Sequence, residues 1–312
     1  MTRVLVLGAG GMLGHKLCQL LPEQGFEVWG TLRRPTDFSS LFARVQLMNG
    51  VEVLNEASLS GAIEQAQPDV IVNCVGIIKQ KREAENRYLS VAINSWLPHQ
   101  LSRLCAEAGQ RLIHISTDCV FSGTKGNYRE SDLSDATDLY GKSKFLGETD
   151  DSEPAAITLR TSIIGRELGD PGTGLLEWFL AQQGAGQAQG FALAIFSGFT
   201  THELANVIGL VIRDFPRLHG LYQIASTPIS KYELLRLIGD VYDLPIEVER
   251  NEVFQCDRSL LADRFHAATG YAPPDWPTMI KRMHADPTAY SSLKQSLREL
   301  TEKWLNHAFK SC

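Results

Sequence analysis

Long apolar runs are missing from this chain. No stretch approaches the ~20 residues of a membrane span, so the expectation is a protein that does not cross a membrane. Cysteine is sparse: Cys18, Cys74, Cys105, Cys119, Cys256 and Cys312 are the only six in 312 residues. They form no CxxC pair and no Cys/His metal spacing, which fits a reduced compartment better than a disulfide framework and gives no sign of a metal. A basic excess is lacking as well. The formal charge of −6 offers no broad positive field, which disfavours gripping nucleic acid or an anionic membrane as the main task. The opening MTRVLVLGAGGMLG has no signal-peptide pattern, because its apolar run is short and broken by glycines. A cytoplasmic protein is the expectation. No internal repeat or low-complexity segment stands out.

What is present is ordinary globular composition, 44% hydrophobic and 21% charged, in a chain long enough for one large or two modest domains. Over the first half, short apolar runs at 3–8, 26–32, 51–54, 69–76, 111–116 and 155–160 alternate with helical patterns near 11–23, 57–66, 86–108 and 139–149. Such alternation predicts a doubly wound parallel sheet with helices on both faces. Past Arg160 the rhythm changes, with Gly-rich stretches at 165–174 and 182–190 and Pro-rich APPDWP at 272–277, read as loops. The division expected is a nucleotide-binding domain over 1–160, with later strands contributed from about 190–225, and a smaller, interleaved lobe over 161–312. Leu293, Leu297, Leu300 and Trp304 fall at helical spacing, predicting a C-terminal helix packed on its own protein.

Gly8, Gly11 and Gly14 stand directly between the first strand and the first helix. Glycines there let the backbone turn sharply against a pyrophosphate, while the free N–H groups of the helix stabilise the anion. A tight turn alone would also use glycine, but the position at the first βα junction points to a dinucleotide. The second strand ends in GTLRRP, with Arg33 and Arg34 and no acid. A guanidinium pair suits a 2′-phosphate and so favours NADPH over NADH; a solvated surface pair is the alternative reading. Glu52, placed at the end of the expected third strand, either accepts from an adenine amino group or is a plain exposed acid.

Ser116, Thr117 and Asp118 follow the fifth strand at the sheet edge where ligands bind in open α/β folds. Tyr140 and Lys144 come next, one helical turn apart on one face. An ammonium there favours the phenolate and draws the tyrosine pKa from ~10 towards neutrality, the range useful for proton transfer. Thr117 can complete a site that polarises a carbonyl.

At these residues the chain resembles the extended short-chain dehydrogenase/reductase superfamily, and within it the dTDP-4-dehydrorhamnose reductase branch. The resemblance runs to about Trp276 through GAGGMLG, NCVG, ISTDCVFSG, YGKSKFLGE, LRTSIIG, GLYQIAS and SKYELLRLI. It implies a Rossmann domain with a small C-terminal substrate-binding lobe, and reduction by NADPH of the C4 keto group of a nucleotide-linked 6-deoxyhexose for surface polysaccharide. By position, it makes Tyr140 the proton donor, Lys144 the holder of the nicotinamide ribose and Thr117 the binder of the reacting oxygen. It places Met12 and Leu13 with the glycines, and Cys74, Val75 and Gly76, along the cofactor. Asp118, Cys119, Ile163 and Thr201 fall near the sugar. The partner implied is the nucleotide-sugar substrate, with a homodimer left open.

Three departures bear on the substrate. Ile163 stands where many members of the branch carry tryptophan, FSGFTT at 196–201 replaces a Gln-x-Gly-x-Pro-Thr run, and the loop after the fourth strand carries Lys79, Lys81 and Arg82. These cations either reach a substrate pyrophosphate or are solvated loop charges. Sugar-nucleotide 4,6-dehydratases put glutamate where this chain has Cys119, so dehydration lacks its acid/base. An epimerase/reductase resembling GDP-fucose synthase would use Cys119 with a histidine, for which only the remote His202 is on offer. A non-catalytic role, like that of the regulatory subunit of methionine adenosyltransferase, is the other alternative.

Overall fold

The computed structural model describes residues 1–295 except 35, 37, 39, 40, 80, 81, 170 and 171. The chain opens with β1 (Arg3–Leu7), α1 (Gly14–Glu23), β2 (Glu27–Leu32) and β3 (Val45–Asn49), then α2 (Glu56–Ala66) and β4 (Val70–Asn73). Next come α3 (Arg87–Val91), a π-helical turn Ala92–Trp96, α4 (Leu97–Ala108), β5 (Arg111–Thr117), α5 (Leu139–Leu146) and β6 (Ala156–Thr161). The remainder holds β7 (Ile163–Ile164), α6 (Leu175–Leu180), β8 (Gln187–Phe196), β9 (Phe199–Thr200), α7 (Thr201–Asp214) and β10 (Gly220–Gln223). It closes with β11 (Ile229–Ser230), α8 (Lys231–Tyr242), β12 (Glu247–Asp257), α9 (Asp263–Thr269) and α10 (Trp276–His284).

Seven strands form one parallel sheet in the order β10-β6-β5-β4-β1-β2-β3. The order reverses between β1 and β4, which makes the crevice at their carboxyl ends the expected ligand position. Strands covered on both faces read as unbroken apolar runs, and β4 and β6 are buried at every residue. One core packs α1, α7, α8 and α10 on one face; a second, around Leu59, Leu97, Leu101 and Cys105, packs α2 and α4 on the other. A separate three-stranded sheet, β11-β8-β12, leans on α8, and β7 pairs with β9.

The expected strand at 51–54 is not a strand. β3 lies earlier, and Val51 is apolar because it is buried over the sheet end, its N–H continuing to Leu32 O at 3.1 Å. Asn55 then caps α2 through Ser58 N. The single helix expected over 86–108 is α3, the π turn and α4 in series. The glycine-rich 182–190 stretch, expected as loop, runs into β8, where Gly190 lets Tyr232 approach: a β-carbon would stand 2.9 Å from the Tyr232 backbone. Leu293 packs against the first core, while Leu297, Leu300 and Trp304 lie outside the described residues. No helix among the described residues is long and apolar enough to cross a membrane.

Candidate functional site

The glycine turn is tight for identifiable reasons. Gly8 has φ +86°, and a β-carbon on Gly14 would stand 2.1 Å from the Gly8 carbonyl oxygen. Only glycine lets the start of α1 press onto the end of β1. Gly11 N donates to Gly8 O at 3.0 Å and Gly8 N to Thr31 Oγ1 at 3.2 Å. Leu13 is buried, and Met12 reaches the residue before α6, where a β-carbon on Gly174 would come 2.6 Å from its methyl carbon. Cys74 and Val75 border the turn: a β-carbon on Gly8 would meet the Val75 side chain at 3.2 Å. Gly76 is exposed beside them.

Arg33 and Arg34 are exposed just past β2, and no ion pair holds them among the described residues. Glu52 is exposed in the turn after β3, its N–H donating to Ser58 Oγ at 3.0 Å. It therefore does not end the third strand, as the sequence suggested.

Across β4, the end of β5 carries Thr117 and Asp118, both buried. Thr117 Oγ1 accepts from Cys119 N at 3.1 Å and lies 3.2 Å from Asp118 Oδ1. Helix α5 starts at Asp138, whose carboxylate caps it by accepting from Gly141 N at 2.8 Å and pairs with Lys79 at 2.5 Å. Burial opposes ionisation of Asp138, yet the Gly141 N–H and Lys79 hold its carboxyl below the usual range. Burial lifts the Tyr140 phenol well above its ordinary value; Cys119 beside it adds to this, and a hydrogen bond with Thr117 opposes it. Lys79 stands over the Tyr140 ring, 5.7 Å from its centre; Lys81 lies outside the described residues.

Lys144 does not point its charge at the phenol as the i, i+4 spacing suggested. Its Nζ donates to Ile115 O at 2.7 Å and lies 3.3 Å from His114 Nε2, because the buried strand carbonyl gives the ammonium a partner. Burial draws its pKa down to about 8, with Glu148 and then Cys74 opposing. The phenol therefore stays protonated at neutral pH, the form that donates.

Residues the sequence reading passed over complete the support. Asn94, buried in the π turn, accepts from Ile77 N at 2.9 Å and donates to Ile77 O at 3.0 Å and Ser143 Oγ at 3.1 Å. It ties α5 to the loop after β4, and π turns recur at functional sites. Glu148 accepts from Arg160 at 2.9 and 2.6 Å and from Ser116 Oγ at 2.5 Å, all three buried. The only signal for Asn94 was a polar residue at a core position of a helical pattern.

Of the residues expected near the sugar, Ile163 is partly buried in β7, whereas Thr201 is fully buried against Gly165. Cys119 is partly exposed, and burial, then Asp118, push its thiol up to about 12. His202 is remote from it, its charge neighbours being Lys16, Glu203, Asp286 and Arg282.

A parallel sheet with a glycine turn at β1 and a Thr-Tyr-Lys group at β5 defines the class of Rossmann-fold proteins with a nucleotide cleft at the switch point. Within that class, residues 1–238 match the family model described as the RmlD substrate binding domain. The chain belongs to that family, in the extended short-chain dehydrogenase/reductase branch. It is 30% identical over 293 residues to the spore coat polysaccharide biosynthesis protein SpsK of Bacillus subtilis, covering 88% of this chain and 94% of that one. It is 26% identical over 309 residues to dTDP-4-dehydrorhamnose reductase of Aggregatibacter actinomycetemcomitans, covering 91% and 99%. The crystal structure of dTDP-4-dehydrorhamnose reductase from Bacillus anthracis in complex with NADP superposes with TM-score 0.76 at 20% identity, over 92% of this chain and 100% of that one.

Proposed function

We propose that the chain is an NADPH-dependent reductase acting on the C4 keto group of a nucleotide-activated 4-keto-6-deoxyhexose in surface polysaccharide synthesis. The observation that carries this reading is the placement of Tyr140 beside Thr117 at the end of β5, across β4 from the glycine turn. The names of the relatives support the substrate class. The residues fit the cofactor: Gly14 lets α1 begin against the end of β1 at the switch point, and Arg33 and Arg34 are exposed at the surface, where they would meet a 2′-phosphate.

Gly8, Gly11, Met12, Leu13 and Gly14 would hold the pyrophosphate, and Cys74, Val75, Gly76 and Lys144 the nicotinamide end. When bound, NADPH supplies a hydride to the carbonyl carbon. Thr117 orients the carbonyl oxygen, and Tyr140 gives its phenolic proton to that oxygen as negative charge develops on it. Lys144, buried and cationic below pH 8, sets a positive charge behind the site. Cys119 offers no ready thiolate and has no histidine partner among the described residues, so the reading is reduction without epimerisation. Asp118 and Ile163 border the sugar, while Thr201 shapes the wall through Gly165.

The test is Tyr140→Phe assayed with NADPH and a panel of 4-keto-6-deoxyhexose nucleotides. Cofactor affinity should persist while turnover falls about 10² to 10⁴-fold, the usual worth of a general acid. Wild-type turnover in the variant would remove Tyr140 from the mechanism. Failure of the wild type to oxidise NADPH with any of them, together with co-purification with a synthetase, would favour the regulatory-subunit role.

A further inference from the structure

Residues 285–295 lie outside the stretch matched to the family model, and they fold back over the helix that begins at the glycine turn. Asp286 forms a buried ion pair with Lys16 of α1. Gln19 Nε2 donates to Thr288 Oγ1 at 2.9 Å. Tyr290, 4% exposed, places its phenol 2.9 Å from His15 Nε2 and 3.1 Å from Asp286 Oδ2. The other ring nitrogen, His15 Nδ1, lies 2.9 Å from the carbonyl oxygen of Gly11. A carbonyl can only accept, so Nδ1 carries the hydrogen and Nε2 is left as an acceptor, and the single phenolic hydrogen is shared between Nε2 and the Asp286 carboxylate.

A second line of contacts runs beside the first. Arg166 stacks on the Tyr290 ring at 4.6 Å and pairs with Glu177 at 2.8 Å, and Lys294 pairs with Glu177 at 2.6 Å. Glu167, whose N–H also goes to Glu177, accepts from the backbone N–H groups of Thr173 and Gly174. Gly174 in turn abuts Met12. Residues 286–294 thus reach two points of the glycine turn: the Gly11 peptide through His15, and Met12 through Glu177, Glu167 and Gly174.

His15 is completely buried in the first turn of α1, where an apolar side chain would pack without a desolvation penalty. Its two hydrogen bonds join partners 279 positions apart, Gly11 and Tyr290. Fixing the Gly11 peptide fixes the direction of the N–H groups that follow it, and these are the groups that would meet a pyrophosphate.

We propose that residues 286–294 are a clasp that preorganises the glycine turn for the dinucleotide, with His15 and Tyr290 as positioning residues. The proposal rests on the reading that this turn binds NADPH. Preorganisation lowers the ordering cost at binding, so its loss falls on affinity.

The experiment titrates NADPH against the wild type, Tyr290→Phe, His15→Leu and the double variant, and follows backbone hydrogen exchange of residues 8–14 without cofactor. Tyr290→Phe keeps the ring and removes the hydroxyl's contacts with both His15 and Asp286. It should weaken NADPH binding about three- to tenfold and speed exchange at the turn, with circular dichroism unchanged. His15→Leu should weaken binding at least as much, and the double variant no further, because both act through one connection. Should Tyr290→Phe not fold, His15→Leu, which leaves Tyr290 its bond to Asp286, carries the same test. Wild-type affinity and exchange in folded single variants would overturn the clasp and leave the proposed function standing. A wild type that binds no dinucleotide would overturn both.

Discussion

Gly141 and the backbone of Cys119 are in contact so close that a β-carbon on Gly141 would stand 2.2 Å from the Cys119 carbonyl oxygen. This is why α5 can lay Tyr140 beside Thr117. Alanine is ordinarily the better helix former by about 1 kcal/mol, but here the obstacle is rigid backbone, and overpacking of this kind costs about 1–3 kcal/mol. Gly141→Ala should retain NADPH affinity and lose about 10²-fold in turnover, as expected for a reacting group displaced by about 1 Å. Steady-state kinetics beside cofactor titration checks this.

Glu148 and Arg160 form a bidentate pair with side chains only 5% and 2% exposed. Removing one charge strands the other in a low-dielectric interior, so Glu148→Gln should destabilise the protein by about 3 kcal/mol. Replacing Arg103, whose pair with Glu107 is exposed at 62% and 59%, should have little effect. Urea denaturation of the two variants compares them directly.

Lys144, with its pKa drawn down to about 8 by burial, is cationic below that pH and neutral above it. If it sits against the anionic cofactor, NADPH affinity should fall as pH rises through about 8, and Lys144→Met should flatten that step and bind weakly throughout. Cofactor titration from pH 6.5 to 9.5 reads both. A profile unchanged in the variant would make the lysine a purely structural group.

If Arg33 and Arg34, exposed just past β2, bind a 2′-phosphate, they set a preference for NADPH. Replacing both by alanine should weaken NADPH binding by about one to two orders of magnitude, leave NADH binding little changed, and have its largest effect at low salt. Equal affinity of the wild type for NADH and NADPH would remove the arginines from the cofactor site.

What the sequence made legible was local. The glycine triad, the Ser-Thr-Asp end of β5 and the Tyr140–Lys144 spacing each lie within one strand-to-helix junction, and the alternation of elements gave a parallel sheet. What it hid was contact between distant residues. Asn94 meets Ser143 and His15 meets Tyr290 only after folding, and no periodicity marks either. Val51 was misread because an apolar residue covering the end of a sheet looks like one inside it. The direction of the Lys144 ammonium depended on the Ile115 carbonyl, a partner that the Tyr-to-Lys spacing does not contain.

The order in which the sheet is assembled also bears on how the protein is made. β6 is buried along its whole length, flanked by β5 on one side and, on the other, by β10, which arrives only at Gly220–Gln223. While the chain emerges from the ribosome, β6 has one open edge until residue 223 is free, with the Arg160 strand end uncovered. An open, apolar edge is a template for mispairing. A fragment ending near residue 161 would carry the glycine turn, Thr117, Tyr140 and Lys144 and still expose that edge, so it should aggregate where the full chain does not.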